Sequence, residues 1–95
     1  MTYRNKRLLE ACRELPCQHC GASDGTVCAA HSNWYSEGKG RGLKASDAAV
    51  AALCFICHAL LDSGKDLSRE ERRLMWLEAY VRTMMLLIER GILKL

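Results

Sequence analysis

Four cysteines in two Cys-x-x-Cys pairs, Cys17/Cys20 and Cys54/Cys57, are the residues of this chain best equipped for chemistry, and His58 follows the last of them without a gap. Two such pairs can supply four thiolates to one tetrahedral cation, which is the donor set of a structural Zn²⁺. Residues 21–53 lie between the pairs, a longer stretch than the roughly 15–20 residues of the commonest double pattern. The intervening chain must therefore return as a hairpin and loop. Cys12 and Cys28 read as small buried hydrophobes, and Cys28 is the alternative ligand should one of the four lie elsewhere.

His31 and Asn33 follow a short apolar stretch, and an imidazole titrating near neutrality is suited to activating water. Taken alone, such a histidine is more often a structural or simply exposed side chain, and it gains meaning only in company. His58 and Asp62 lie four apart, one above the other on a helix face. An imidazole and a carboxylate so placed can hold a divalent ion with positions open to water and substrate, which suits Mg²⁺ or Mn²⁺. The bland reading makes them a surface histidine and a solvated carboxylate. Lys39, Arg41 and Lys44 sit in a glycine-rich run without acids, behind Trp34 and Tyr35. Those cations suit phosphates and those rings suit a base or sugar, while a solvated loop is the alternative. His19, inside the first knuckle, reads as exposed.

Elements must position these groups. Apolar spacing predicts a first helix over about Thr2–Leu15, closed by Pro16. Thr26–His31 reads as a strand after the turn residues Ala22–Gly25. Ser46-Asp47 caps a short turn leading into Val50–Leu53, and a helix follows over Phe55–Asp62. Ser68 and Glu71 have capping-box spacing, opening a long helix that runs to about Arg90, with Gly91 as its stop. Its main apolar stripe is Leu74, Leu77, Val81, Met84 and Ile88, widened by Trp76, Tyr80 and Leu87. A stripe that wide leaves room for a homodimer through the C-terminal helix.

The 95 residues are expected to make a single domain, 1–95, with a zinc-stapled core over about 15–65 and the C-terminal helix over about 68–90. A core this small gains from a metal cross-link. The formal charge is +3, and four thiolates with one Zn²⁺ bring it to about +1, so global charge does not argue for nucleic acid. No apolar run reaches the roughly 18 residues a membrane span needs, so no membrane partner is expected. The Met1–Arg7 segment lacks the apolar stretch of an export signal. Cysteines without such a signal point to a reducing, cytoplasmic setting and to metal rather than disulfides.

In order, the Cys-x-x-Cys pair, Ala30-His31-Ser32-Asn33, the Gly-Lys-Gly-Arg-Gly-Leu-Lys-Ala-Ser-Asp run and Leu53-Cys-Phe-Ile-Cys-His58 with Asp62 resemble the zinc-stapled branch of the HNH endonucleases. Within that superfamily, which has a ββα-metal or treble-clef core, the pattern is similar to small phage and prophage nucleases linked to recombination. The resemblance covers about Leu15–Lys65. It implies an α+β zinc-stapled treble-clef core with flanking N-terminal and C-terminal helices. It further implies His31 as general base, His58 as a ligand of the catalytic metal, and Asp62 where many members carry a later histidine. Two positions depart from the family: Ala30 stands where an Asp or His often helps bind metal, and the middle asparagine is replaced near Asp47-Ala48.

The expected activity is metal-dependent hydrolysis of DNA phosphodiesters. Zn²⁺ would be structural, Mg²⁺ or Mn²⁺ catalytic, and Asn33, Lys39, Arg41 and Lys44 would contact nucleic acid. A recombination-protein partner and a bacterial host cytoplasm, for a phage-encoded chain, complete the expectation. The alternative is a non-catalytic zinc module that binds nucleic acid or a protein.

Overall fold

Two four-residue strands of small and aliphatic side chains form the centre of the fold. The structure, a computed structural model, describes residues 3–32, 45–63 and 65–93. The elements run α1 (Lys6–Arg13), β1 (Cys28–His31), β2 (Val50–Leu53), α2 (Phe55–Ser63) and α3 (Arg69–Glu89). This is a small α+β arrangement in which β1 and β2 pair antiparallel, Cys28 opposite Leu53 and His31 opposite Val50. Every residue of β2 is buried. Alanines at 29, 30, 51 and 52 leave no bulk on the hairpin, so helices can approach its backbone closely. One apolar cluster joins Leu8 and Cys12 of α1, the sheet, Leu61 of α2, and Trp76, Ala79 and Leu87 of α3.

Caps set the helix limits. Asn5 accepts a hydrogen bond from the Leu8 N–H at 3.1 Å, so α1 starts at Lys6 rather than at Thr2. At α3, Ser68 accepts from the Glu71 N–H at 3.1 Å while the Glu71 carboxylate accepts from the Ser68 N–H at 2.8 Å. The capping box read in the sequence is thus formed. Gly91, at φ 73°, turns the chain out of the helix. The first strand is shorter than its β-branched signal predicts. Thr26 is diverted into a turn, its N–H and hydroxyl both donating to Asp24 Oδ1, and its oxygen accepts from the Phe55 N–H at 3.0 Å.

The face that α3 buries differs from the main stripe expected of it. Met75, Trp76, Ala79, Thr83 and Leu87 face the core. Leu74 is 59% exposed, Val81 52% and Ile88 42%. The reason lies in the sheet. With two strands among the described residues, the outer edge of β2 has backbone groups that need partners. The Thr83 hydroxyl accepts from the Ala52 N–H at 3.0 Å and donates to the Ala79 carbonyl at 2.7 Å. Trp76 Nε1–H donates to the Ala30 carbonyl at 3.0 Å, and its ring stacks on Tyr80 with centroids 5.0 Å apart. The helix therefore turns its hydrogen-bonding residues inward and leaves its larger aliphatics outside.

Candidate metal centre and histidine sites

The first knuckle is a tight turn on the free edge of β2. The Cys17 N–H donates to the Ala22 carbonyl at 2.8 Å and the Gly21 N–H to the Cys17 carbonyl at 2.9 Å. Gly21 takes φ 82°, which a side chain would strain. The Gln18 N–H donates to the Ala52 carbonyl at 2.9 Å, so the knuckle is registered against β2. Arg82 of α3 caps the other side by donating to the Gln18 carbonyl at 3.1 Å. The second knuckle opens α2 directly after β2, with the His58 N–H donating to the Cys54 carbonyl at 2.9 Å. Both knuckles are thereby tied to the same strand.

Cys17, Cys20, Cys54 and Cys57 converge: their sulfurs lie within 4.8 Å of one another. Zn–S bonds of about 2.3 Å in a tetrahedron set sulfurs about 3.8 Å apart, and Cys20 Sγ and Cys54 Sγ are 3.7 Å apart. None of the cysteines is in a disulfide. The donor set, its spacing and its burial fit a structural zinc. Electrostatics point the same way. Burial would raise the Cys17 thiol, but N–H groups of Cys20, Cys54 and His19 outweigh it and hold the pKa at about 6. Burial and the three neighbouring thiols push Cys57 far above the ordinary thiol value. An N–H from Ala22 lowers Cys20, yet Cys17 and Cys54 leave it raised. Four thiols in this volume cannot share their ionisation without a cation among them.

Cys28 is outside that cluster. Its Sγ lies 3.5 Å from His58 Nδ1. Burial raises the Cys28 thiol above its ordinary value, the nearby Arg13 opposing and Asp62 reinforcing the shift. Cys12 is fully buried and, for the same reason, pushed up to about 11. Cys12 fits the buried hydrophobic role read from the sequence, whereas Cys28 is half-buried and meets the His58 ring.

The two histidines have separate partners. His31 Nε2 and Asp47 Oδ1 are 2.7 Å apart. Asp47 is itself fixed: it accepts from the Asn5 N–H at 2.7 Å and from Arg4 Nη1 at 3.2 Å, and its own N–H donates to the Tyr3 carbonyl at 2.9 Å. Burial alone would raise its carboxyl. The His31 and Asn5 hydrogen bonds, with the charges of His31 and Arg4, hold it below the usual carboxylate value instead. His58 Nε2 lies 3.5 Å from Asp62 Oδ2, with the side chains 35% and 55% exposed. A shallow depression of about 380 Å³ lies there, lined by Phe55, His58, Ala59, Asp62 and Ser63.

Asp47 is the residue that sequence reasoning passed over. In the sequence it reads as part of the Ser46-Asp47 cap and as the place where the family's middle asparagine is replaced. The usable signal was the pairing of the strands, which sets Val50 opposite His31 and so brings Asp47 alongside. Ala30 is 1% exposed, so the position before His31 faces the core. His19 is exposed, as expected. Asn33, Lys39, Arg41 and Lys44, with Trp34 and Tyr35, lie outside the described residues. Among the described residues, the cysteine cage is the one group of three or more donors close enough to share an ion, and His58 with Asp62 offers two donors. Among the described residues no helix is long and apolar enough to cross a membrane. No family model, no curated protein and no solved structure matches this chain.

Proposed function

We propose that this chain is a metal-dependent DNA endonuclease of the HNH kind, a treble-clef core stapled by Zn²⁺ at Cys17, Cys20, Cys54 and Cys57. The observation that carries the reading is the 2.7 Å contact between His31 Nε2 and Asp47 Oδ1. An ionised carboxylate only accepts hydrogen bonds, so Nε2 carries the proton and Nδ1 keeps a lone pair. That nitrogen can take a proton from water, and the imidazolium that results is stabilised by the carboxylate behind it. Asp47 is 5% exposed and anchored by Asn5 and Arg4, while the His31 side chain keeps 19% of its surface. The ring is held from behind and open in front.

His58 and Asp62 would hold the catalytic Mg²⁺ or Mn²⁺. One imidazole and one carboxylate, 3.5 Å apart and partly exposed, fit an ion that keeps most of its water. When bound, such an ion neutralises charge on the phosphate and on the leaving oxygen. Asn33, Lys39, Arg41 and Lys44 would hold the flanking phosphates. The resemblance to recombination-linked phage and prophage nucleases suits a bacterial cytoplasm and a recombination-protein partner.

The test is plasmid nicking with added Mg²⁺ or Mn²⁺. Activity should vanish with EDTA and fall at least about 10²-fold in His31→Ala, with zinc content and circular dichroism unchanged. A His31→Ala protein that nicks at the wild-type rate would remove the base. The second reading, a non-catalytic zinc module for nucleic acid or protein, is favoured by Ala30, which is buried where the family often has a metal ligand. DNA binding without metal-dependent nicking would select it.

A further inference from the structure

The four sulfurs of the cage are equal as donors but unequal in access. Cys17 is 2% exposed, Cys54 1% and Cys57 3%, whereas Cys20 is open to solvent. The first knuckle is the cause: its turn carries Cys20 to the outer side of the molecule, where both chain neighbours, His19 and Gly21, are exposed. From there the Cys20 sulfur still reaches inward, to 3.7 Å from that of Cys54. A disulfide sets its sulfurs about 2.05 Å apart, so each of the two would move by only about 0.8 Å to form one. The backbone is ready for such a link, because the Gln18 N–H on the Ala52 carbonyl already ties the first knuckle to the strand that ends at Cys54.

A sulfur bound to Zn²⁺ is held as thiolate, and the thiolate is the form that an oxidant attacks. Cys12 is fully buried, and Cys28 is a half-buried thiol outside the cage with its sulfur against His58. We propose that Cys20 is an oxidation site, at which hydrogen peroxide produces a Cys20–Cys54 disulfide and releases Zn²⁺ from the cage. The Cys20 sulfur attacks one peroxide oxygen, the O–O bond breaks, and the departing hydroxide takes up a proton as water. The Cys54 thiolate then attacks the sulfenic acid on Cys20. The S–S bond forms as the S–O bond breaks, and a second hydroxide leaves as water. Two sulfurs lose two electrons to one peroxide, and the zinc ion keeps its charge. It departs because Cys17 and Cys57 alone do not close a tetrahedron. Thiol reductant and added zinc reverse the change. The inference rests on the zinc staple and not on the nuclease reading.

Titrating the zinc-loaded full chain with hydrogen peroxide tests it, with a chromogenic chelator reading zinc release and mass spectrometry reading the linked peptides. One Zn²⁺ should leave per peroxide consumed, with Cys20 joined to Cys54 as the first product and Cys28 still a free thiol. Dithiothreitol with added zinc should restore one ion per chain. Cys20→His keeps a tetrahedral set of three sulfurs and one ring nitrogen, and without the exposed thiolate it should release zinc at least about tenfold more slowly. Equally fast release from that variant overturns the proposal. So does a first disulfide between other sulfurs, or oxidation of Cys28 ahead of the cage. Should Cys20→His fail to hold zinc, the wild-type peptide map decides alone. A wild-type chain that binds no zinc sinks the staple and this inference together, whereas a zinc-loaded chain that oxidises elsewhere sinks only the inference.

Discussion

The cysteine cage and the histidine pairs share one short scaffold and are held in opposite ways. In the cage, four donors from two knuckles converge on one point, and three of the four residues are buried. Each histidine instead has its own carboxylate: His31 meets Asp47 at 2.7 Å, and His58 meets Asp62 at 3.5 Å. Among the described residues neither pair gathers a third donor. A closed donor set suits a metal whose work is to hold the chain together, because water has no position left to fill. A pair with open sides suits groups that act on something brought to them. The two pairs differ as well. Asp47 is buried and anchored from three directions, whereas Asp62 is 55% exposed. The fold thus has a rigid staple, a rigid dyad and a loose one.

The sharpest way to break this contrast is at the cage. A structural zinc site contributes about 10–16 kcal/mol at neutral pH, as much as the whole stability of a small domain, about 5–15 kcal/mol. Cys54→Ser should therefore lose stoichiometric zinc and cooperative unfolding together, checked by metal analysis and thermal melting. A folded variant with full zinc content would mean that another donor completes the cage.

The cage should also answer to pH in a known direction. In the metal-free state Cys20 and Cys57 lie above the ordinary thiol value, so both are protonated near neutrality. Capturing an ion expels those protons, and the apparent zinc affinity should fall by at least about 100-fold for each pH unit lost between pH 8 and 6. Competition against a chelator measures this. A pH-independent affinity would show thiolates already ionised, with no mutual repulsion to relieve.

Local chemistry was legible in the sequence, and long-range pairing was not. The Cys-x-x-Cys spacing and the Ser68/Glu71 capping box depend on residues within a turn of one another, and both are formed. The buried face of α3 depends on something no window of that helix contains, namely an Ala52 N–H that points away from β1 and needs Thr83 as its acceptor. Hydrophobic periodicity gives Thr83 no weight, yet its hydroxyl closes the sheet edge and sets which side turns inward. Asp47 escaped for a similar reason. It is 16 positions from His31, and its burial is balanced by Arg4 and the Asn5 backbone at the other end of the described chain.

Asp47→Ala sharpens the difference between the rigid dyad and the loose one. It leaves the Asn5 N–H and the His31 ring without a partner, which should cost about 1–3 kcal/mol of stability. Nicking should fall by about two orders of magnitude, since the ring keeps its lone pair but loses its orientation and its counter-charge. Asp62→Ala, at a 55% exposed site, should leave the melting temperature nearly unchanged and act only through the concentration of Mn²⁺ required. Equal destabilisation by the two variants would erase the distinction.

The smallest effect is expected beside the loose pair, at Cys28. Its sulfur is 3.5 Å from His58 Nδ1 and belongs to no converging set. Cys28→Ala removes a half-buried sulfur, costing about 1 kcal/mol, and frees the His58 ring to rotate. Zinc content should stay at one ion per chain, while the Mn²⁺ needed for half-maximal nicking should rise a few-fold, because a ligand histidine that loses the partner of its other nitrogen binds more weakly. Metal analysis and a Mn²⁺ titration separate the two readouts. Zinc lost with Cys28 would make it a fourth ligand in place of one of the knuckle thiols. Zinc retained with an unchanged Mn²⁺ requirement would leave it a filler of the core beneath α1.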